Sequence, residues 1–241
     1  MGDIVDINLY KGDCLDLMDE LAISGIKFDA IISDIPYGTT KCKWDTIIPF
    51  DLMWDKLHRI RNDSTPIMLF GAEPFSSYLR TSNIKEYKYD WIWEKSNSTG
   101  FLNAKKQPLR IAELISVFYK KQTLYNPQMT QGEPYTWNST RGQTESYNKH
   151  NSINNEIKNK GERYPLNILK FKQERGLHPN QKPVPLLEYL VKTYTNEGDT
   201  VLDFTMGSGS TGVACKNLNR KFIGIELNQE YFKIAESRMA V

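Results

Sequence analysis

The feature that most constrains the fold of this chain lies near its end, where a glycine-rich turn separates two apolar runs. The segment reads VLDFTMGSGSTGVACKNLNRKFIGIEL, with Gly207, Gly209 and Gly212 at GxGxxG spacing. Glycines at this spacing allow a tight turn and a close backbone approach to a ligand, and a helix that starts at Ser210 offers free N–H groups. The segment therefore predicts a nucleotide-binding β-α-β unit.

An acidic residue ends the second strand of this predicted unit. The carboxylate of Glu226 stands where it can accept hydrogen bonds from both hydroxyls of a ribose. A glycine turn of this kind is also compatible with a purely structural role. The unit as a whole does not distinguish NAD from S-adenosylmethionine, because both carry an adenosine. Residues elsewhere in the chain have to distinguish between these two cofactors.

The remainder of the chain alternates strand-like and helix-like patterns, which is typical of a parallel sheet covered by helices on both faces. We expect strands at 4–10, 28–33, 66–70, 87–94, 112–119, 200–204 and 222–226, and helices at 14–21, 51–60, 184–194, 210–218 and from 229 onward. Residues 121–175 show little apolar periodicity, which indicates a loop-rich insertion. The expected organisation is one α/β domain whose halves, 1–120 and 176–241, flank that insertion.

Composition places this 241-residue chain among soluble globular proteins. Hydrophobic residues make up 39% and charged residues 25%, and no apolar run reaches the ~18 residues that a membrane helix needs. The cysteines and histidines lie far apart, without metal-ligand spacing. We therefore expect a cytoplasmic protein with reduced thiols and no metal.

Charge is distributed unevenly along the chain, although the net charge is only +2. Residues 88–182 contain 16 Lys and Arg against 8 Asp and Glu, so this stretch carries +8 and the remainder −6. A basic segment within an acidic frame is what a phosphate-binding surface needs. A merely solvated lysine-rich loop has the same charge pattern, so both readings stay open.

A second group of chemically active residue types follows the predicted strand at 28–33. The sequence there is Asp34-Ile35-Pro36-Tyr37-Gly38, and Pro and Gly are also ordinary turn residues. In its context the motif resembles the D-P-P-Y motif of DNA amino-methyltransferases, which modify N6 of adenine or N4 of cytosine. Ile35 departs from the proline that is commoner in that family, at a position that contributes a backbone carbonyl.

The resemblance covers nearly all of residues 4–120 and 176–239 and leaves chiefly the insertion unmatched. The catalytic motif comes first, then the insertion, then the glycine-rich motif, which is the order of the β group of that family. The chain departs from the family at Phe204-Thr205, where Pro-Phe is usual, and at Asn180, where Thr is common. The resemblance implies a Rossmann-like methyltransferase fold with a mostly parallel sheet and a target-recognition insertion.

The resemblance also implies a cofactor site. IVDINLYKGDCLDLM is similar to the family segment in which an acid contacts the adenine of the cofactor, and HPNQKPVPLLEYLV is similar to the segment that holds its methionine end. The implied cofactor is S-adenosylmethionine, with S-adenosylhomocysteine as product and no metal. The residues assigned to it are Asp13, Cys14, Asp34, Gln181, Lys182, Asp203, Thr205, Gly207, Gly209, Ser210, Thr211, Glu226 and Leu227.

Catalytic roles follow from the same resemblance. An exocyclic amino nitrogen is a poor nucleophile because its lone pair is delocalised into the ring. Asp34 and the backbone carbonyl of Ile35 would each accept an N–H hydrogen bond, which orients the lone pair toward the methyl group. Pro36 stiffens that carbonyl, and Tyr37 offers a flat face to an extruded base. Alignment of nitrogen, methyl carbon and sulfur can supply ~7 kcal/mol.

Three stretches are candidate DNA contacts. Residues 38–45 follow the catalytic motif and are a candidate lid, and residues 95–110 interleave small, aromatic and basic side chains. The insertion offers Gln143, Asn148 and Asn151 to base edges. Solvent-exposed basic residues and a packed Trp also account for the first two stretches, and this alternative stays open. The residues predicted to bind DNA are Lys41, Lys43, Trp44, Lys105, Lys106, Arg110 and Arg141.

Other functions are weighed against this prediction. An NAD-dependent oxidoreductase explains Glu226 and the glycines but gives no role to Asp34. A catalytically inactive DNA-binding regulator would need a damaged motif, and the motif is intact. N4-cytosine enzymes share the motif but more often begin it with Ser, and glutamine methylation uses one led by Asn, so Asp34 favours N6 of adenine. The implied partners are double-stranded DNA, a second copy of the chain and a cognate restriction endonuclease, in a bacterial or phage-infected cell and without a membrane.

Overall fold

A computed structural model of the chain describes residues 6–38, 46–138, 156–174, 176 and 181–240. The strands are β1 (Ile7–Lys11), β2 (Ala30–Ser33), β3 (Ile67–Gly71), β4 (Tyr87–Thr99), β5 (Arg110–Phe118), β6 (Thr130–Gln131), β7 (Tyr135–Asn138), β8 (Glu156–Asn159), β9 (Glu162–Arg163), β10 (Ile168–Phe171), β11 (Thr200–Asp203) and β12 (Lys221–Glu226). The helices are α1 (Cys14–Ile23), α2 (Phe50–Ile60), α3 (Phe75–Ser82), α4 (Val184–Tyr194), α5 (Ser210–Asn217) and α6 (Gln229–Met239).

The chain forms two compact units. The first comprises Met1–Asn126 with Asn167–Val241, and the second is Pro127–Leu166. An eight-stranded sheet with the order β1-β12-β11-β2-β3-β5-β4-β10 forms the first unit. Its pairs are parallel except β3–β5 and β5–β4, which are antiparallel. The mostly parallel sheet predicted from the alternating patterns is therefore confirmed.

Helices cover both faces of this sheet. Successive side chains of a strand point to opposite faces: in β2, Ala30 and Ile32 belong to one apolar cluster and Ile31 belongs to another. The first cluster contains buried residues of α4, α5 and α6, and the second contains those of α1, α2 and α3. A parallel sheet needs this double cover because both of its faces are apolar. No helix among the described residues is both long and apolar enough to cross a membrane.

Two elements of the first unit differ from the sequence expectation. Helix α3 was not predicted, because the segment FSSYLRTS has only a short apolar stripe. Strand β10 lies inside the stretch expected to be the insertion, yet it pairs in parallel with β4 from Ile168 to Phe171. At the other boundary, the Asn126 N–H donates to the Thr193 carbonyl of α4 at 2.7 Å. The compact unit that remains separate is Pro127–Leu166, and the target-recognition role of 121–175 stays a prediction.

The second unit contains short antiparallel ladders. Strand β6 pairs with β9, and β7 pairs with β8, with Tyr135 opposite Asn159. The Arg163 guanidinium lies over the Tyr135 ring, 4.6 Å from its centroid. These strands are only two to four residues long, which agrees with the low apolar periodicity of this part of the sequence.

Candidate active site

A cavity at the carboxyl edge of the main sheet carries the predicted site. From β11 the chain runs through α5 to β12 on one side, and from β2 it runs through α2 to β3 on the other. Neighbouring strands whose connections leave in opposite directions open a crevice between their carboxyl ends, where α/β proteins bind ligands. The cavity at this position has a volume of about 340 Å³.

The structure brings the catalytic motif and nearly all assigned cofactor residues to this one cavity. They come from the segments after β1, β2, β11 and β12 and from the segment before α4. The assigned residues on its wall are Asp13, Cys14, Asp34, Ile35, Pro36, Tyr37, Gln181, Lys182, Asp203, Thr205, Gly207, Ser210, Thr211, Glu226 and Leu227. Gly209, which was also assigned, is not part of the wall.

Glu226 is held at the end of β12 by backbone N–H groups. Its Oε2 accepts from the Gly207 N–H at 2.9 Å, and its Oε1 accepts from the Asn228 N–H at 2.6 Å. Burial raises the pKa of the Glu226 carboxyl, and these N–H groups oppose the rise. Each carboxylate oxygen can accept more than one hydrogen bond, so the fixed side chain still has lone pairs for two ribose hydroxyls.

The glycines of the turn serve different purposes. Gly207, at φ 53°, lines the cavity, so its backbone faces the ligand space directly. Gly209 has φ 76°, a left-handed conformation that favours glycine. A Cβ on Gly209 would lie 2.5 Å from Met239 Cε and 2.9 Å from Ala235 Cβ, and a Cβ on Gly212 would lie 2.2 Å from Met239 Sδ. Gly209 and Gly212 therefore permit α5 and α6 to pack closely.

A buried polar network joins the ends of β2 and β11. Asp203 Oδ1 accepts from Ser33 Oγ at 2.6 Å and from the Thr205 N–H at 3.1 Å, and Asp203 Oδ2 accepts from Thr211 Oγ1 at 2.6 Å. Burial raises the pKa of Asp203 to about 6, although these donors lower it. The network ties the strand before the catalytic motif to the strand before the glycine turn. Ser33 was not among the residues predicted from the sequence.

Asp34 and Tyr37 lie directly after β2. The Tyr37 hydroxyl donates to Asp34 Oδ1 at 2.7 Å, and the Tyr37 ring packs against Phe75 with 5.0 Å between centroids. The Asp34 side chain is 24% exposed and lines the cavity. Burial raises the pKa of the Asp34 carboxyl, and Lys182 opposes that rise. The carboxylate is thus oriented by donors of the protein itself.

Lys182 lines the cavity as predicted, but its ammonium contacts the catalytic motif. The sequence expectation was a contact with the methionine end of the cofactor. In the structure, Lys182 Nζ lies 2.5 Å from Asp34 Oδ2 and 2.9 Å from Glu113 Oε1. Burial lowers the pKa of this ammonium, but the two carboxylates outweigh burial and the pKa is raised. Lys182 therefore stays charged beside Asp34.

Glu113 is a candidate functional residue that sequence reasoning missed. It lies on β5 with its side chain 10% exposed, and its Oε1 accepts from the Tyr37 hydroxyl at 3.0 Å. Lys95 Nζ lies 3.5 Å from Glu113 Oε2. A signal was present, since Glu113 is the acid within the predicted strand AELISVFY and acids are seldom buried unless paired.

We call Asp34, Tyr37, Glu113 and Lys182 the catalytic corner.

The cavity has the acceptors that S-adenosylmethionine needs. Gln181 lines the cavity, and its buried Oε1 has no hydrogen-bond partner among the described residues. A buried acceptor without a donor is costly, so this oxygen suits an ammonium group of a ligand. Glu226 supplies acceptors for ribose hydroxyls, and Ile48 and Leu187 add apolar wall. The residues present therefore fit the donor groups of this cofactor.

The predicted DNA contacts are only partly described. Lys105 and Lys106 are exposed on the connection between β4 and β5, and Arg110 is exposed at the start of β5. Strand β5 is antiparallel to both β3 and β4, so the carboxyl end of β4 lies at the same edge as the cavity. These basic side chains thus lie at the catalytic edge of the sheet. Outside the described residues are Lys41, Lys43, Trp44, Arg141, Gln143, Asn148 and Asn151.

Comparison with known protein families and sequences identifies similar proteins. The family model for DNA methylases matches residues 28–237. The type II methyltransferase M2.DpnII of Streptococcus pneumoniae is 50% identical over 70 residues, 29% of this chain and 26% of that protein. The type II methyltransferase M1.MboII of Moraxella bovis is 26% identical over 264 residues, 95% of this chain and 95% of that protein. The first match thus spans about a quarter of its relative, and the second spans nearly all of both chains.

Solved structures share the fold. The M1.HpyAVI–SAM complex is similar with a TM-score of 0.69 and 26% sequence identity, covering 98% of this chain and 100% of that chain. The PvuII DNA methyltransferase, described as cytosine-N4-specific, has a TM-score of 0.71 at 14% identity, covering 98% and 87%. These likenesses confirm the predicted fold class. A fold that is shared with a cytosine-specific enzyme does not decide which base is modified.

Proposed function

The chain belongs to the DNA methylase family of N6 and N4 amino-methyltransferases, and we propose that it is a site-specific enzyme that methylates N6 of adenine in DNA. The methyl donor is S-adenosylmethionine, and the target adenine is extruded from the duplex into the cavity. The observation that carries the proposal is the single cavity, whose wall holds the catalytic residues Asp34 and Tyr37 together with the cofactor residues Gly207, Glu226 and Gln181.

Asp34 acts as the acceptor for the amino group in this proposal. S-adenosylmethionine, when bound, supplies an electrophilic methyl group. Asp34 accepts one N–H of the target amine and the carbonyl of Ile35 accepts the other, so the nitrogen lone pair is turned away from the ring and toward that methyl group. The Tyr37 hydroxyl and the Lys182 ammonium hold the carboxylate in one orientation beforehand. Preorganised polar groups of this kind need no rearrangement as charge develops.

Proton loss completes the reaction. Formation of the N–CH₃ bond would break the bond between that methyl group and sulfur, with neutral S-adenosylhomocysteine as the leaving group. The amine then carries the positive charge, and one of its two protons passes to a hydrogen-bonded acceptor. Asp34 is the acceptor in contact with that nitrogen, and its raised pKa makes it a better proton acceptor than an exposed carboxylate. Because methyl transfer precedes this step, Asp34 does not have to be a strong base.

Adenine is the preferred target because the motif begins with a carboxylate. N4-cytosine transfer is the second candidate: it uses the same geometry, and an enzyme of that specificity has the same fold. A catalytically inactive DNA-binding regulator is disfavoured, because Asp34 is oriented at the cavity and Glu226 is held ready for a ribose.

Duplex DNA is the proposed macromolecular partner. The exposed Lys105, Lys106 and Arg110 stand at the catalytic edge and can neutralise phosphates. Pro127–Leu166, with residues 139–155 at its centre, is the proposed target-recognition element. Relatives named as type II methyltransferases of bacteria support a role beside a restriction endonuclease in the cytoplasm of a bacterium, and pairing with a second copy of the chain stays a prediction.

The proposal is tested by identifying the methylated nucleoside. Purified protein is incubated with methyl-labelled S-adenosylmethionine and DNA from cells that lack amino-methylated bases, and the digested nucleosides are analysed by mass spectrometry. Labelled N6-methyladenine is expected. Labelled N4-methylcytosine would retain the mechanism and replace the base, whereas unlabelled DNA would overturn the proposed activity. Asp63→Ala serves as a matched control. Among the described residues, the Asp63 side chain forms ion pairs with the exposed Lys120 and Lys121, and the variant should retain activity.

A further inference from the structure

Glu113 stands in the catalytic corner without a role in the proposed reaction. It comes from β5, the antiparallel strand, whereas Asp34 follows the parallel strand β2. Its side chain is 10% exposed, and charged side chains at such depth are stable only with partners. Two of its partners, Tyr37 and Lys182, also contact Asp34.

Two bridges connect Glu113 with Asp34. The Tyr37 hydroxyl lies 2.7 Å from Asp34 Oδ1 and 3.0 Å from Glu113 Oε1. The Lys182 ammonium lies 2.5 Å from Asp34 Oδ2 and 2.9 Å from the same Glu113 Oε1. The four side chains thus form a closed ring in which each carboxylate receives the same two donors.

The number of protons makes the two carboxylates competitors. A tyrosine hydroxyl has a single proton to donate, while a lysine ammonium has three. The Tyr37 hydroxyl can therefore donate to either Asp34 or Glu113 but not to both at once, whereas Lys182 can donate to both carboxylates together. If Glu113 were neutral, both donors would turn fully to Asp34 and reduce the electron density that its oxygens offer to a substrate N–H. If Lys182 were absent, two buried carboxylates would face each other and one of them would take up a proton.

Groups from β3, β4 and β11 lie near these four side chains. Lys95 on β4 lies 3.5 Å from Glu113 Oε2, Asp203 at the end of β11 adds a negative charge, and the Phe70 ring of β3 lies 5.1 Å from Lys182 Nζ. Burial and Glu113 raise the pKa of Asp34, and Lys182 and Tyr37 lower it. Lys182 and Lys95 outweigh burial at Glu113, whose pKa is lowered.

We propose that Glu113 and Lys182 are positioning residues that set the orientation and the ionisation of the Asp34 carboxylate. Lys182 keeps Asp34 charged in its partly buried position, and Glu113 shares the two donors so that Asp34 keeps acceptor strength for the target amine. The inference rests on the proposed role of Asp34 as that acceptor. Neither Glu113 nor Lys182 touches the reacting atoms in this scheme.

The test is the pH dependence of methyl transfer in single turnovers with cofactor and DNA saturating. In the wild type the rate should fall at low pH as Asp34 becomes protonated, and we call this part of the pH profile the acid limb. Glu113→Gln removes a negative neighbour, so the acid limb should move to lower pH. Lys182→Met removes a positive neighbour, so the acid limb should move to higher pH, each by about one pH unit or more. Both variants should also lower the maximal rate.

Matched variants separate positioning from folding. Glu86→Gln alters another partly buried acid, which accepts from Arg61 Nη2 at 2.6 and 2.7 Å and precedes β4 at the opposite edge of the sheet. It should lower stability and leave the acid limb in place. Lys182→Arg keeps the cation, so it should return the acid limb to its wild-type position even where Lys182→Met is too unstable to assay.

The outcomes are distinguishable. Opposite displacements of the acid limb by Glu113→Gln and Lys182→Met support the inference, as does a wild-type acid limb in Lys182→Arg. Displacements in the same direction, unmoved limbs, or a displaced limb in Lys182→Arg would overturn it. Absence of transfer by the wild type itself would instead overturn the proposed function.

Discussion

The two sides of the cavity are built in different ways. On the cofactor side, the glycine turn and Glu226 come from one continuous stretch of chain, and their contacts join backbone N–H groups to a carboxylate. The catalytic corner joins side chains from separate segments, with Asp34 and Lys182 lying 148 residues apart in sequence. A site made from one stretch can be predicted from the local sequence. For a site assembled by tertiary contacts, the sequence indicates the residue types but not which of them meet.

The two sides also differ in how they hold negative charge. On the cofactor side, Asp203 and Glu226 receive neutral hydroxyl and N–H donors, and burial raises the pKa of both. In the catalytic corner a lysine lies between the acids: with Lys95 it lowers the pKa of Glu113, and it opposes the rise that burial causes in the pKa of Asp34. An anion held by neutral dipoles can serve neutral ligand hydroxyls, while an acceptor for a reacting amine needs a charge partner to stay ionised.

Asp34→Ala should have the largest effect, and it should impair methyl transfer without impairing cofactor binding. The single-turnover rate should fall by roughly 10³-fold, because an oriented acceptor at the reacting nitrogen is lost. Lys182 and Glu113 remain paired with each other, so the fold should persist. Calorimetry should give a cofactor Kd within about twofold of the wild type. A rate near that of the wild type would remove Asp34 from the mechanism.

Asp203→Asn should show how much stability is lost when the buried Asp203 carboxyl ionises. The pKa of Asp203 is raised from 3.8 to about 6, so the folded state binds this proton more tightly than the unfolded state. Protonated Asp203 therefore contributes stability at low pH, and this contribution is lost as the pH rises through 6. Asparagine does not titrate. The difference in unfolding free energy between wild type and variant should therefore change by roughly 3 kcal/mol between pH 3 and pH 7, measured by urea denaturation. A difference that is constant with pH would contradict the buried-acid account.

Gly209→Ala should lower stability by about 2 kcal/mol, since its Cβ meets Met239 and Ala235 and its φ is left-handed. Thermal unfolding should show a fall in Tm of roughly 4–8 °C. Gly100→Ala is the control. Gly100 also has a positive φ, but no atom of the described residues lies within 4 Å of its added Cβ, so this variant should lose less stability. Equal losses would mean that packing against α6 contributes little.

Much of the fold could be predicted from the sequence because its central strands are apolar runs bounded by turn residues. Helix α4 has the predicted bounds, and β2, β3, β11 and β12 lie within a few residues of theirs. Strand β10 could not be predicted in the same way, because ILKF is short and stands inside a polar stretch. Its position depends on pairing with β4, which is a tertiary contact.

The candidate site follows the same division. Glu226 and the glycine turn were predicted by spacing, and Asp34 and Tyr37 by motif. The contact of Lys182 with Asp34 and the entire role of Glu113 depend on β5 crossing beside β3. At Gly209 the structure adds a packing reason for glycine, because an added Cβ would meet Met239 and Ala235 of α6, and its contact with a cofactor stays a prediction.

The most direct test of the central claim, that one cavity has two separable sides, compares Glu226→Ala with Asp34→Ala in the same two assays. Calorimetry gives the Kd for S-adenosylmethionine, and single turnovers at saturating cofactor give the transfer rate. Glu226→Ala should weaken cofactor binding by roughly 10–100-fold through lost hydrogen bonds to a charged group and retain most of the transfer rate, while Asp34→Ala should show the reverse. If each variant lost both properties to a similar extent, the two sides would not be separable and the account would be contradicted.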